Sequence, residues 1–386
     1  MELSQLRNEF FKRYNSRTED PVIFFCPGRV NLIGEHTDYN NGFVFPCALN
    51  YGTYLLVRKR DDDKLILNTL NFEYSDSQKI GSIEKNKSGE WVNYPLGILS
   101  EFLQKGIKLG GMEMLFYGDI PNGAGLSSSA SIEMVTAYAL NELFNAGLTV
   151  LDLVKLSQHA ENTFVGMNCG IMDQFAVGMG EKDRAIFLNC DTLNFDNVPI
   201  ELDEYQLIIS NTNKRRGLTD SKYNERRAEC EKAVEYLKGR TGIKHLSQLS
   251  INDLHLLDEL IPDETVRKRA RHVITENNRV LQAVNVLKKG DIIPFGRLMN
   301  QSHDSLKDDY EVTGKELDAI VYEARNINGT VGSRMTGAGF GGCSVSIVEK
   351  NQVNSFIEKL DMAYTAATGL KAQFYLPTIE NGVRKL

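Results

Sequence analysis

Apolar residues in the first third of the chain come in short runs broken by Gly, Pro and Asn: VIFFC from Val22, FVFPCAL from Phe43, TYLLVRK from Thr53, KLILNT from Lys64 and MEMLFY from Met112. Runs of this length with turn residues between them predict strands of an antiparallel or mixed sheet. Ahead of them, Leu3, Leu6 and Phe10 recur at helical spacing among charged residues. That pattern predicts an amphipathic helix rather than a signal peptide, and a cytoplasmic protein.

The periodicity then changes. SASIEMVTAYALNELFNAG, ending at Gly147, is Ala-rich and nearly uncharged, which predicts a helix buried in the core. The next helix, TVLDLVKLSQHAENTF, starts with Thr149 as its cap and Asp152 at the capping-box position. Turn residues between Asn189 and Tyr205 mark a boundary between two lobes.

Beyond the boundary the pattern predicts a strand (YQLIIS), a basic loop (NKRRG), a charged helix over Thr219 to Lys238 and a long helix over Thr265 to Lys289. The long helix carries an apolar stripe of Val266, Ala270, Val273, Val280, Val284 and Leu287, with Gly290 as its stop. The RKRAR cluster at its start reads as a solvated face. A helix, a Gly-rich turn, the strand CSVSIV, another helix and a last strand AQFYL complete the chain.

Composition narrows the class. The 386 residues suffice for two lobes with a cleft between them, and 44 basic against 51 acidic residues leave a net charge of -7. Bulk electrostatics therefore predicts neither nucleic-acid nor membrane binding. The six cysteines lack CxxC spacing and read as free thiols in a reducing compartment.

Four stretches carry candidate chemistry. RVNLIGEHTDYNNG, from Arg29 to Gly42, gathers an arginine, two carboxylates, a histidine and a tyrosine just past a strand; a metal site and a catalytic dyad are both open. GDIPNGAGLSSSASIE, from Gly118 to Glu133, is a glycine- and serine-rich loop running into a helix start, where free N–H groups and the helix dipole favour an anion. It is either a phosphate cradle or a serine-capped helix, and it lacks the Gly-Lys-Ser/Thr ending of a P-loop. In GMNCGIMDQFAVGMG, Asp173 is the only carboxylate, either a turn residue or a buried functional acid. GAGFGG, from Gly337, matches GxGxxG formally, but a strand should precede it and a helix follow; here the strand CSVSIV follows, so a dinucleotide site is not expected.

Together with WVNYPLGIL, AENTFVGMNCGIMDQF and SKYNERR, these stretches resemble, in order and spacing, the motifs of the galacto-, homoserine-, mevalonate- and phosphomevalonate-kinase (GHMP) superfamily. PGRVNLIGEHTDYNNGFVFPCAL is similar to the sugar-binding signature of galactokinases within it. The resemblance implies an α+β fold: an N-terminal lobe (residues 1–195) with a mixed sheet and a left-handed βαβ unit, holding the sugar signature, the phosphate loop and the catalytic Asp. It implies a C-terminal lobe (residues 196–386) of antiparallel sheet and helices, whose last residues pack back on the first.

It further implies ATP-dependent phosphorylation of galactose at its anomeric hydroxyl, with ATP and Mg2+ as cofactors and a monomer as the expected state. By position, Glu35, His36, Thr37 and Asp38 would line the sugar pocket, with Gly170 and Tyr223 closing it. Gly123, Ala124, Gly125, Leu126, Ser127, Ser128 and Ser129 would cradle the ATP phosphates, Trp91 would wall the adenine pocket, and Thr69 would touch the nucleotide. Ser129 and Glu161 would hold magnesium, Asp173 would be the base, and Arg29 the cation beside it. Two other outcomes belong to the same resemblance: a kinase for a related sugar such as N-acetylgalactosamine, and a non-catalytic galactose and ATP sensor. The complete SSSAS and the presence of both Asp173 and Arg29 speak against the sensor.

Overall fold

The computed structural model describes residues 1–15, 19–88, 91–121, 125–214 and 219–386. Gly123 and Ala124 of the expected phosphate cradle, and Arg215 to Gly217 of the basic loop, lie outside the described residues.

The first half builds α1 (Leu3–Tyr14), β1 (Val22–Asn31), β2 (Phe43–Val44), β3 (Pro46–Lys59), β4 (Lys64–Thr69), β5 (Asp76–Lys79), α2 (Asn93–Gln104) and β6 (Met112–Gly118). It continues with α3 (Ser128–Leu143), α4 (Val150–Ala160), α5 (Met172–Met179), β7 (Arg184–Asn189) and β8 (Phe195–Pro199). The second half holds β9 (Tyr205–Asn211), α6 (Thr219–Thr241), α7 (His255–Leu260), α8 (Glu264–Leu287), α9 (Ile292–Asp308) and α10 (Gly314–Arg325). Then come β10 (Thr330–Thr336), β11 (Cys343–Glu349), α11 (Val353–Thr368), β12 (Gln373–Tyr375) and β13 (Arg384–Lys385).

A six-stranded sheet runs in the order β13-β1-β3-β6-β4-β5, antiparallel except where β4 and β6 pair in parallel across the α2 crossover. Strand alternation sorts its two faces. Phe24, Leu55, Val57, Met112 and Met114 face a core shared with α2 to α5. Ile23, Leu56 and Leu115 face Leu6 and Phe10 of α1. A second sheet, β10-β11-β9-β12, is antiparallel throughout and backed by Phe356, Leu360 and Tyr364 of α11. A third, β2-β7-β8, lies where the chain passes from one half to the other. The halves share a core: Val30, Leu32 and Phe45 pack with Ile209 and Val345 of the second sheet and Val280 of α8.

Four expectations change. The two strands expected from Phe43 and Thr53 meet in β3, which runs through Asn50-Tyr51-Gly52 without a break because Gly52 lets the backbone press on Cys26 and the Phe25 ring, where a Cβ would collide. A strand does precede the GAGFGG turn: β10 and β11 form a hairpin around it, and the absence of a following helix is what separates it from a dinucleotide loop. Helix α3 stops at Leu143, short of Gly147. Arg269 of the RKRAR cluster is 1% exposed, its guanidinium held by Glu229, Glu311 and the Asp309 carbonyl, so one member of that basic run is a buried tie between helices.

The N-terminal cap of α4 forms as read, with Thr149 Oγ1 accepting from Asp152 N and Asp152 Oδ2 from Thr149 N. After Ala160 the helix continues as a π-helical turn over Glu161–Val165.

Candidate active site

Strand β1 breaks register with β3 between Pro27 and Arg29. A bulge re-aims the side chain beside it, and here it directs Arg29 inward, where it is 4% exposed. Gly28 leaves room for a close approach from another segment, because a Cβ there would fall 2.6 Å from the Leu126 carbonyl. Leu126 is thus laid directly on β1, with Arg29 N donating to Leu126 O at 3.1 Å.

Arg29 then reaches two ways. Nη1 donates to Gly125 O at 2.8 Å, and Nε and Nη2 both reach Asp173 Oδ1, at 2.9 and 2.8 Å. Asp173 sits in the first turn of α5 and takes a third bond on Oδ2 from Ser127 Oγ, at 2.6 Å. Ser127 holds φ 60° and Gly125 φ 70°, the left-handed region, so the loop turns sharply into α3. This geometry points the Ser127 hydroxyl at Asp173.

The loop after β1 carries the next groups. Glu35 is 1% exposed and braced from both sides: Oε2 accepts from Asn31 Nδ2 at 2.7 Å, Oε1 from Gly337 N at 2.6 Å, and Arg334 lies at 3.5 Å. Gly337 belongs to the turn between β10 and β11, so the glycine-rich hairpin serves the same site from the second sheet. His36 bonds Tyr39 OH through Nδ1 at 2.8 Å, and burial, helped by the nearby His272, pulls its pKa down to about 3, which keeps the imidazole neutral. Burial and then the charge of Asp173 push Asp38 up to about 7.

Arg29, Asp173, Glu35, His36, Asp38 and Gly170 bound one cavity of about 190 Å³, with Tyr223 of α6 packed 5.7 Å from the His36 ring. Gly170 has to be glycine, since a Cβ would run into the Asp38 carboxylate. Thr37 is the member of the group placed elsewhere: it is fully buried, its hydroxyl facing the carbonyls of Gly34 and Phe43 at 2.8 and 2.7 Å, so it closes the loop on itself and does not line the cavity.

A second cavity of about 230 Å³ opens beside the first, bounded by Thr69, Trp91, Phe116, Ser128 and Ser129. Trp91 packs edge-on to Phe116, centroids 5.3 Å apart, and its indole N–H is buried without a partner among the described residues. Phe72 and Tyr94, which the sequence reading passed over, also line it. The aromatic cluster around Trp91 was the available signal. Ser129 borders both cavities, so a group bridging them passes its hydroxyl. Glu161, in the first cavity's wall, is raised in pKa by burial and by Asp173, while hydrogen bonds from Cys169, Ser129 and Gln174 hold the charged form. Among the described residues no cluster of three or more His, Cys, Asp or Glu is arranged to hold a metal.

A galactokinase galactose-binding signature matches residues 8–59, a GHMP kinases N terminal domain residues 93–181, and a GHMP kinases C terminal domain residues 283–365. The galactokinase of Fusobacterium nucleatum is 53% identical over 98% of this chain and 97% of its own length. The chain belongs to the galactokinase family. The galactokinase of Clostridium tetani is 50% identical over 100% of this chain and 98% of its own. Among solved structures, Lactococcus lactis galactokinase complexed with galactose superimposes with a TM-score of 0.97, at 44% identity and full coverage of both chains. Mevalonate kinase from Methanococcus jannaschii follows the same fold with a TM-score of 0.67 at 19% identity, covering 95% of this chain and 100% of its own. The galactokinase fold here is thus the two-lobed GHMP arrangement, with its mixed sheet first and its antiparallel sheet second. No helix among the described residues is long and apolar enough to cross a membrane.

Proposed function

We infer that the chain catalyses the ATP-dependent phosphorylation of galactose to galactose 1-phosphate and ADP. The observation that carries the reading is the placement of the Arg29–Asp173 pair in a cavity walled by the sugar signature, next to a second cavity walled by the phosphate loop and Trp91.

Galactose is assigned to the first cavity, where Glu35 and Asp38 offer acceptors to its hydroxyls and the neutral His36 one donor or acceptor. Its anomeric oxygen attacks the terminal phosphorus of ATP, the bond from that phosphorus to the bridging oxygen breaks, and ADP leaves. The hydroxyl proton passes to Asp173. Oδ1 already holds two N–H groups and Oδ2 one hydroxyl, so the free lone pair on Oδ2 is the acceptor. The Asp173 side chain is 29% exposed while Arg29 is 4% exposed, so the carboxylate is reachable and the cation stays beneath it. From there Arg29 stabilises charge on the carboxylate and on the transferring group.

ATP is assigned to the second cavity, adenine against Trp91 and phosphates toward Ser128, Ser129 and the N-terminus of α3. Magnesium fits the Ser129–Glu161 pair: both offer oxygen, and Mg2+ takes one or two carboxylates with substrate phosphates rather than a protein cage. Bound there, the ion would neutralise charge on the phosphates.

The six cysteines form no disulfide, which supports a cytoplasmic setting, and because the β7–β8 hairpin runs across residue 195 to Pro199, the proposed lobe boundary falls between β8 and β9. The test is ADP release with galactose, N-acetylgalactosamine or no sugar. Release with galactose is expected. Release with the amino sugar alone would overturn the substrate, and binding of both ligands without ADP would overturn catalysis in favour of a sensor.

A further inference from the structure

The loop that presents His36 and Asp38 belongs to the N-terminal half, yet its backbone is fastened by one helix of the other half. Helix α8 carries Glu276, His272 and Asn277, all nine-tenths or more buried. Glu276 Oε1 accepts from Gly34 N at 2.9 Å and from Ser302 Oγ of α9 at 2.6 Å, while Oε2 takes Arg279 Nε at 2.7 Å. Burial alone would raise this carboxyl, but Arg279, His272 and Arg334 outweigh it and hold the group at about 2.

His272 reaches Glu35 O through Nε2 at 3.1 Å and Ser305 Oγ through Nδ1 at 2.9 Å. Burial lowers its pKa to about 4, so the ring has one proton. A carbonyl only accepts; the proton therefore sits on Nε2, and the single Ser305 hydroxyl hydrogen is shared between Nδ1 and Asp309 Oδ2.

At the far end of the loop, Asn277 Oδ1 accepts from Phe43 N at 2.9 Å, and its NH2 group has no partner among the described residues. Gly34 and Gly42 allow the contact: a Cβ on Gly34 would meet Val280 of α8 at 2.9 Å, and one on Gly42 would fall against Asn277 Oδ1. Inside the loop, Thr37 O accepts from Asn40 N and Gly42 N, and Asp38 O from Asn41 N; at its ends Gly34 N and Phe43 N have their partners on α8, and an unmet buried backbone group is unfavourable.

We propose that Glu276, His272 and Asn277 are positioning residues that set galactose affinity by clamping both ends of the sugar loop from α8. The proposal rests on the sugar assignment above. It assigns them no contact with the reacting atoms, because Arg29 lies on β1 and Asp173 on α5, outside the clamped segment.

The test compares Asn277→Leu, which removes the accepting oxygen, with Asn277→Asp, which keeps it and puts in place of the unpartnered NH2 a second oxygen that burial holds protonated. Glu276→Gln, in which one carbonyl oxygen must serve Gly34, Ser302 and Arg279, is the third variant. Galactose KM and the galactose dissociation constant by calorimetry are expected to rise about tenfold or more in Asn277→Leu and Glu276→Gln, with ATP KM and kcat at saturating sugar within about threefold of the parent. Asn277→Asp is expected to stay near the parent. A loss of active protein alone would lower kcat and leave galactose KM unchanged, and that result in Asn277→Leu would overturn the proposal. Equal impairment in Asn277→Leu and Asn277→Asp would overturn it too, as would a parallel rise in ATP KM. A parent that binds galactose without releasing ADP would overturn the kinase reading alone, since the calorimetric comparison still decides this one.

Discussion

Arg29 and Asp173 stand 144 positions apart in the chain and meet through two nitrogens on one carboxylate oxygen, Nε at 2.9 Å and Nη2 at 2.8 Å. The pair leaves the outer oxygen of Asp173 with room for one more proton. Removing that acceptor is the sharpest change available at the site. Asp173→Asn is expected to lower kcat by about 10² to 10⁴-fold, with a much smaller change in galactose KM, as read by steady-state ADP release. A kcat within a few-fold of the parent would contradict the assignment of Asp173 as base.

Arg29→Lys keeps the charge and loses the fork. One ammonium has no planar pair of N–H groups for Asp173 and cannot reproduce the guanidinium's separate bonds from three nitrogens to Asp173 and Gly125 O. A fall in kcat on the order of 10²-fold is expected, with ATP KM also raised because the Gly125 contact holds the phosphate loop. Full activity in this variant would show that charge alone suffices.

How much of this was legible in the sequence follows from how local each feature is. The strand runs, the capping box at Thr149 and Asp152, and the α8 stripe from Val266 to Leu287 are short-range patterns, and all three recur in the structure. The sugar signature and the serine loop stood out because their residue types are unusual together. Thr37 was grouped with its neighbours by adjacency, although its side chain points back into the loop. Arg269 looked solvated because its partners, Glu229 and Glu311, come from two other segments. The same holds for the α8 clamp: His272, Glu276 and Asn277 lie outside the apolar stripe by which the helix was recognised, and only the tertiary fold supplies the loop they grip. Phe72 and Tyr94 likewise join the Trp91 cavity through the pairing of β4 with β6 and the start of α2.

Gly170 leaves no room beside Asp38. Gly170→Ala would press a methyl group onto the carboxylate that walls the sugar cavity. Galactose KM is expected to rise about tenfold or more, with ATP KM unchanged. Unaltered galactose KM would place the sugar elsewhere.

Asp38 couples the stability of the fold to pH. Its folded pKa of about 7 lies above the ordinary 3.8, so between these values the folded chain holds more protons than the unfolded one. Stability contributed by the protonated form is therefore present at low pH and lost as pH rises toward about 7. Asp38→Asn mimics the neutral carboxyl, and without sugar its melting temperature is expected to exceed the parent's by a few degrees near pH 8, with a smaller gap near pH 5. An equal gap at both pH values would contradict the burial of Asp38 as a neutral group. The same variant is expected to bind galactose more weakly.

Glu161 is tested by magnesium. A chelator is expected to abolish ADP release and added magnesium to restore it, and Glu161→Gln is expected to raise the half-saturating magnesium concentration several-fold. Activity indifferent to chelation would remove Glu161 and Ser129 from any metal role.

The identity of the product tests the central claim most directly. With ATP and galactose supplied, phosphorus and proton magnetic resonance are expected to show one sugar monophosphate, its phosphate on the anomeric oxygen, formed in step with ADP and lost in Asp173→Asn. A phosphate on another hydroxyl, or ATP consumed with no sugar phosphate formed, would contradict it.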